Sequence, residues 1–356
     1  MDVYKKFNEL NLEPWKNYIY VNEIKSDREN YNRFFTSILK LFEFTENDKI
    51  SRPVMIRIET VNICNNNCII CTKHIATRKE QTMSMDIFEK ILQGYSKIGG
   101  GKISFTPDGG DIFLDCYLIE RIRMIKRYPN ISGLSVTTNG VMSDLFNDEQ
   151  LKEILSSFER IQISMYGLDE EEYSIMTKRN TYSRMINSVK RILNFTSDST
   201  ELFFGFRFLK NRTPEEIDHW IDNNFSRPIK YGSTTCYNNW GNNKVNSNKL
   251  PFDATWLKVS ENDSRCLHPL IAYHIFSNGD ISYCPCADYD ADAELKLGSM
   301  ENNDLSELFN SRKVLNLWDS DRPIPNYCKY CTTYKSFKNV DNIDSLIKHP
   351  SWIFGA

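Results

Sequence analysis

PVMIRIETVNICNNNCIICTKH, residues 53–74, carries two signals in one stretch. Val54 to Ile58 is a short apolar, β-like run opened by a proline, and Cys64, Cys68 and Cys71 follow it with C-x3-C-x2-C spacing. Three thiolates can hold a cubane cluster while leaving one iron without a protein ligand, which is the open position that chemistry at a metal needs. The same spacing also suits a zinc site or unrelated buried cysteines, so the surrounding sequence has to decide.

Downstream, apolar β-like runs alternate with helical ones. The strands are read at Ile103 to Phe105, Leu134 to Thr137, Ile161 to Met165, Leu202 to Phe208 and Ile229 to Tyr231. Helical stretches fall at 85–98, 117–128, 148–157, 182–195 and 213–224, the last opened by Thr213, Pro214 and Glu216 in the N-cap, N1 and N3 places of a capping box. Strand–helix alternation predicts a parallel α/β sheet, and six units predict a partial (βα)6 TIM-like barrel over 53–236. In such folds chemistry gathers on loops after the carboxyl ends of strands, where residues 64–71 sit.

Residues 1–52 read as a polar-rich helical covering segment, and 237–265, rich in asparagine and lysine, as a linker or substrate-covering loop. Periodicity returns in 266–336. There Tyr273 to Phe276 and Ile281 to Tyr283 flank Ser277-Asn278-Gly279-Asp280, and Asn-Gly predicts a two-residue hairpin turn. This predicts a small C-terminal β-hairpin/α domain, followed by a tail over 337–356.

The 356 residues carry a formal net charge of -3, which gives no overall field for phosphate backbones and argues against nucleic-acid binding. Arg121, Arg123, Lys126 and Arg127 interleave with Ile119, Ile122 and Ile125 and read as the solvated face of a helix. The first residues lack the pattern of a secretory signal and no window approaches a membrane span, which places the protein in the cytoplasm. In that compartment the ten cysteines are read as metal ligands or reactive thiols.

The cysteine string on the first βα loop resembles the radical S-adenosylmethionine (SAM) enzymes, over roughly residues 53–236. The resemblance implies a 4Fe-4S cluster on Cys64, Cys68 and Cys71 whose open iron binds SAM, and cleavage of SAM to a 5'-deoxyadenosyl radical. Asp108-Gly109-Gly110-Asp111 is similar to that family's Gly-Gly-Glu-like segment after the second strand, with Asp111 in the glutamate's place. Asn139, in the Thr-Asn-Gly turn after the third strand, and Ser164, ending the fourth in ISMYG, match its cofactor contacts. Arg179, with Lys178 as rival, is the candidate partner for the SAM carboxylate.

Cys266, Cys284, Cys328 and Cys331 form a second group, C-x17-C followed by C-x2-C. By spacing alone these ligands suit zinc and iron–sulfur equally. The resemblance favours iron, because the arrangement is similar to the Twitch form of the SPASM extension and implies one auxiliary 4Fe-4S cluster. It also implies a flavodoxin- or ferredoxin-type electron donor. The reaction read from this is hydrogen abstraction from a peptide or small polar metabolite, with oxidation of the substrate radical by the auxiliary cluster to give a dehydrogenation or cross-link. A redox-neutral epimerase using Cys236 or Cys286 as hydrogen-atom donor is the alternative. A non-catalytic zinc-binding protein is the third reading. Cys236 is placed at the end of the sixth strand and Cys116 at the start of a barrel helix.

Overall fold

The computed structural model describes residues 55–105, 108–240, 249–262, 266, 268–309 and 323–334. The covering segment 1–52, the middle of the linker and the tail 337–356 lie outside the described residues. Six strands run in sequence order across one sheet: β1 Met55–Ile58, β2 Gly101–Phe105, β3 Ile131–Thr138, β4 Arg160–Tyr166, β5 Glu201–Arg207 and β6 Lys230–Thr234. Each pairs with the next in parallel, which requires crossovers, and helices supply them. They are α1 Met85–Lys97, α2 Leu118–Ile125, α3 Asp148–Leu155, α4 Glu170–Thr177, α5 Tyr182–Phe195 and α6 Pro214–Asn224. The α6 capping box is made as the sequence predicts, with Thr213 Oγ1 accepting from Glu216 N and Glu216 Oε2 accepting from Thr213 N. Helix α4 escaped the sequence reading. Its start is set by Asp169, whose carboxylate accepts from Glu172 N.

Strand alternation sorts side chains between two faces. Ile161, Ile163 and Met165 of β4, with Leu202, Phe204 and Phe206 of β5, join the helix-backed core. Their alternates, Gln162, Ser164 and Tyr166 with Phe203, Gly205 and Arg207, therefore line the inner face.

The C-terminal region is continuous with this sheet. After β7 Cys236–Tyr237 and β8 Thr255–Trp256, which pair with each other, one turn of helix, α7 His268–Ile271, leads into β9 Ala272–Ile275. Strand β9 lies parallel to β1, with Arg57 opposite His274, so β1 is flanked on both sides. The chain then folds back as β10 Asp280–Ser282 and β11 Lys296–Ser299, completing the order β11-β10-β9-β1-β2-β3-β4-β5-β6, and α8 Leu305–Phe309 follows. The β9–β10 hairpin closes with a three-residue loop, Ser277 to Gly279, where the sequence predicted two residues. Phe276 N donates to Asp280 O, and only Gly279 takes a positive φ, of 82°, whereas a two-residue type I′ turn needs two.

Two other expectations change. Arg121 is fully buried and pairs with buried Asp115 at 2.7 Å, so it is not on a solvated face. Strand β6 ends at Thr234, which leaves Cys236 on the separate β7–β8 ribbon with its Sγ 3.5 Å from Thr255 Oγ1. Cys116 is exposed. No described helix is long and apolar enough to cross a membrane.

Candidate metal and cofactor centre

The loop after β1 is held from two sides. Asn67 N and Ile69 N donate to Thr177 O and Met176 O at the end of α4, while Arg179 Nε donates to Asn65 O at 2.7 Å. Arg179 thus straps the cysteine loop through its backbone. On the opposite side Thr72 Oγ1 donates to Asp108 O at 3.0 Å, and Cys71 caps a turn of 3-10 helix at Thr72–His74 by accepting from Lys73 N. His74 Nε2 lies 2.9 Å from Cys68 O. These contacts gather Cys64, Cys68 and Cys71 at the carboxyl end of the sheet, close enough for the charges of Cys68 and Cys71 to act on Cys64 and that of Cys71 on Cys68. Burial pushes all three thiols up, Cys68 to about 12. The charge of Asp111 raises Cys64 further, whereas Tyr166 and the Arg207 guanidinium pull Cys68 back down. Buried thiols in a row favour a cationic occupant that takes them as thiolates.

The segment after β2 divides its tasks. A Cβ on Gly110 would stand 2.2 Å from Val61 O, so this glycine is required by packing under the cysteine loop. Among the described residues nothing lies within 4 Å of a Cβ built on Gly109, which leaves its backbone approachable by a ligand. The Asp111 side chain turns inward to accept from Phe113 N, Thr138 Oγ1 and Asn139 N. Burial holds its carboxyl up at about 6, against the pull of those three bonds. Asn139 in turn offers Nδ2 to Cys64 Sγ at 3.7 Å and to Asn65 Oδ1 at 3.0 Å.

Ser164 Oγ accepts from Arg207 Nη1 at 3.1 Å. Arg207, on the neighbouring strand, was missed by the sequence reading. Its signal was the alternation of Glu201, Phe203, Gly205 and Arg207 against the apolar Leu202, Phe204 and Phe206.

The second cysteine group lines one cavity of about 40 Å³, which Cys266, Cys284, Cys328 and Cys331 share with Tyr283 and Tyr327. Asn262 Nδ2 donates to the carbonyls of Cys328 and Cys331, and Ala287 N donates to Cys284 Sγ. Burial raises the thiols of Cys284, Cys328 and Cys331. Among the described residues no three His, Cys, Asp or Glu side chains converge on a single ion. The four thiols instead ring a space, which fits a cluster. Cys286 does not line the cavity. Its Sγ lies 3.3 Å from His268 Nδ1, and burial pushes its thiol up to about 12.

Buried charge joins the two centres. The Asp108 carboxylate contacts Arg57 Nη2 at 3.1 Å and His274 Nδ1 at 2.9 Å. Burial raises the Asp108 carboxyl, but Arg57 and His274 outweigh it and hold the group below its ordinary value. Nearby, Arg78 forks onto buried Glu59 at 2.6 and 2.9 Å and lies over the Phe276 ring, and Glu59 accepts from Ser277.

Comparison with known proteins matches residues 58–227 to the radical SAM superfamily and 266–332 to SPASM, an iron–sulfur cluster-binding domain. GTP 3',8-cyclase of Chlorobaculum tepidum is 30% identical over 179 residues, 49% of this chain and 51% of that protein. A probable GTP 3',8-cyclase of Pyrococcus abyssi is 31% identical over 159 residues, 44% and 47% of the two chains. The chain therefore spans about half the length of the curated relatives it matches. Among solved structures, anSMEcpe with bound AdoMet superposes with a TM-score of 0.55 at 13% identity, covering 85% of this chain and 98% of that one. BtrN with AdoMet and 2-DOIA gives 0.51 at 14%, over 79% and 93%. Streptococcus suis SuiB with its precursor peptide SuiA gives 0.53 at 15%, over 83% and 72%. These likenesses establish the fold.

Proposed function

We propose, for a chain that carries a radical SAM domain joined to a SPASM-type iron–sulfur domain, that it removes a hydrogen atom from a peptide or small polar metabolite, and that the resulting substrate radical would give up one electron to the auxiliary cluster and one proton to solvent, leaving a dehydrogenated or cross-linked product. Cys64, Cys68 and Cys71 hold the 4Fe-4S cluster of the first domain, and Cys266, Cys284, Cys328 and Cys331 hold one auxiliary cluster. When bound, the first cluster supplies the electron that cleaves SAM reductively to methionine and a 5'-deoxyadenosyl radical. The observation that carries the oxidative reading is the continuous sheet. Strand β1 leads to the first cysteine loop, β9 belongs to the second centre, and Asp108 ties Arg57 of one to His274 of the other.

The chain's own groups have assignable roles. Ser164 and Arg207 present a hydroxyl and a fork of N–H donors to the SAM carboxylate at the carboxyl end of the inner face. Arg179, bonded to Asn65 O, orients the cysteine loop. Gly109 leaves its backbone open to the SAM amine, and Asn139 fixes Cys64 and Asn65. The curated relatives are named for an enzyme acting on GTP, and two structural neighbours are described with peptides. The partial overlap with the former and the low identity to the latter leave both substrates with those proteins.

Epimerisation is a second reading, favoured by the position of Cys286. Its thiol sits beside His268, and the charges of Arg57 and Asp108 act on it, which puts it close to the inner face. The two readings separate in deuterium oxide with anaerobically reconstituted enzyme and substrate. Oxidation gives an unlabelled product two electrons poorer and tolerates Cys236→Ala and Cys286→Ala. Epimerisation gives one solvent deuterium per turnover and stops when the donating thiol is removed.

A further inference from the structure

The two halves of the first cysteine loop are fastened by different parts of the chain. The leading half hangs on the radical SAM domain, through the bonds that α4 and Arg179 make to Asn65, Asn67 and Ile69. The base of the loop is closed within the same domain, where Asn62 N donates to Gln81 O, Met83 N donates to Thr60 O and Val61 bridges Thr82. Past the turn at Thr72–His74 the hold passes to the C-terminal domain. Thr77 N and Thr77 Oγ1 donate to the Asp290 carboxylate at 2.8 and 2.6 Å, and Arg78 N donates to it at 3.0 Å. Arg78 Nε adds a bond to Tyr289 O at 3.0 Å. Between Cys71 and this clamp the chain is stiffened by Thr72 O, which accepts from both Ile75 N and Ala76 N.

Asp290 lies on the loop that begins at Cys284, and that loop is built into the second centre. Buried Asp288 accepts from Asp290 N and Asp292 N through one oxygen. Ala287 N donates to Cys284 Sγ, while Ala287 O accepts from the hydroxyl of Tyr327, the neighbour of Cys328. Glu294 accepts from Asn326 Nδ2 and Tyr327 N, which fixes the loop to the Cys328 turn a second time. A shift of the second cysteine group therefore reaches Asp290, and a shift of Asp290 reaches Cys71.

We infer that Asp290 is a positioning residue for SAM binding, through which filling of the auxiliary centre sets the placement of Cys71 against Cys64 and Cys68. The inference rests on the cluster assignments of the proposed function. Asp290 acts through residues 72–77 and ligates nothing itself. Its side chain is 21% exposed and Thr77 is exposed, so water takes over the three bonds when the carboxylate is removed and the fold is retained.

The test is calorimetric titration of SAM into the oxidised, anaerobically reconstituted full chain, with iron counted on each sample. The proteins are wild type, Asp290→Ala, Asp290→Asn, a Cys328→Ala, Cys331→Ala pair, and that pair combined with Asp290→Ala. Wild type holds about eight irons and binds SAM. Asp290→Ala keeps its iron and its circular dichroism spectrum but binds SAM roughly 5- to 100-fold more weakly, the usual span of coupling between sites. Asp290→Asn stays within about threefold of wild type, because its Oδ1 still accepts from Thr77 N and Arg78 N and its amide donates to Thr77 Oγ1. The cysteine pair, with about four irons, weakens SAM binding by a factor similar to that of Asp290→Ala. Adding Asp290→Ala to it changes the affinity by less than about twofold, since the link is already cut. An Asp290→Ala protein within about twofold of wild type overturns the inference, and so do losses that multiply in the combined variant. Where the cysteine pair does not fold, the affinities of Asp290→Ala and Asp290→Asn decide. A wild type that takes up no iron overturns the cluster assignments and this inference with them, whereas about eight irons with SAM binding indifferent to Asp290 overturns the inference alone.

Discussion

Replacing Gly110 with alanine pushes a methyl group into the chain that carries the cysteines. The new Cβ would stand 2.2 Å from Val61 O and 2.9 Å from Asn62 Cα, and real Cβ contacts do not fall under 3.0 Å. Backbone at Val61, not a flexible side-chain tip, must therefore yield by roughly 0.8 Å or more, three residues ahead of Cys64. Overpacking of this kind costs about 1–3 kcal/mol. For a chain of this size that lowers the melting temperature by roughly 1–4 °C. Because a displacement of about 1 Å at a reacting centre can cost on the order of 100-fold in rate, 5'-deoxyadenosine formation falls by about that factor. Gly109→Ala is the internal comparison, since its Cβ meets nothing within 4 Å among the described residues. It melts with the wild type and shows weaker SAM binding instead. Differential scanning calorimetry and quantitation of 5'-deoxyadenosine on the two variants, purified without oxygen, read both effects. A Gly110→Ala protein that melts and turns over like wild type refutes the packing argument.

Other perturbations follow from the buried charges. Arg78→Met strips the fork from Glu59, whose side chain is fully buried, and destabilises the protein by about 3–5 kcal/mol in urea titration. Adding Glu59→Gln recovers most of the loss, because the orphaned charge is then gone. Burial holds the Asp111 carboxyl at about 6 when folded, above its ordinary 3.8, so its stabilising contribution is present below pH 3.8 and is lost as pH rises through about 6. The urea midpoint of the cluster-free wild type therefore declines between these pH values more steeply than that of Asp111→Asn. Thr213→Ala removes the α6 cap and costs about 1 kcal/mol by the same measurement, with no change in iron content.

Much of this molecule could be read before it was seen. The first six strands announce themselves as apolar runs between turn residues, and α5 spans 182–195 as the period predicts. The two cysteine groups are legible because ligand spacing is local. What stayed hidden is non-local. The pairing of β9 with β1 leaves one trace, an MIRI strand buried at all four positions, and that is equally compatible with a strand flanked on one side only. The Asp108 bridge depends on that pairing and was invisible with it. The hairpin was misjudged by one residue because Asn-Gly reports a turn without saying how many residues take positive φ. Cys236 lies two residues past the end of β6, and that shift moved it to another ribbon. Gln162 was visible as one polar residue inside IQISM, but only the structure shows that its amide has no partner among the described residues.

Iron content with 5'-deoxyadenosine formation, measured on anaerobically reconstituted wild type and on a Cys64, Cys68 and Cys71 triple alanine variant, bears on the whole account. Two cubane clusters give about eight irons in the wild type, and loss of the first leaves about four, with SAM cleavage abolished by dithionite assay. A wild type that takes up no iron, or a triple variant that still forms 5'-deoxyadenosine, contradicts it.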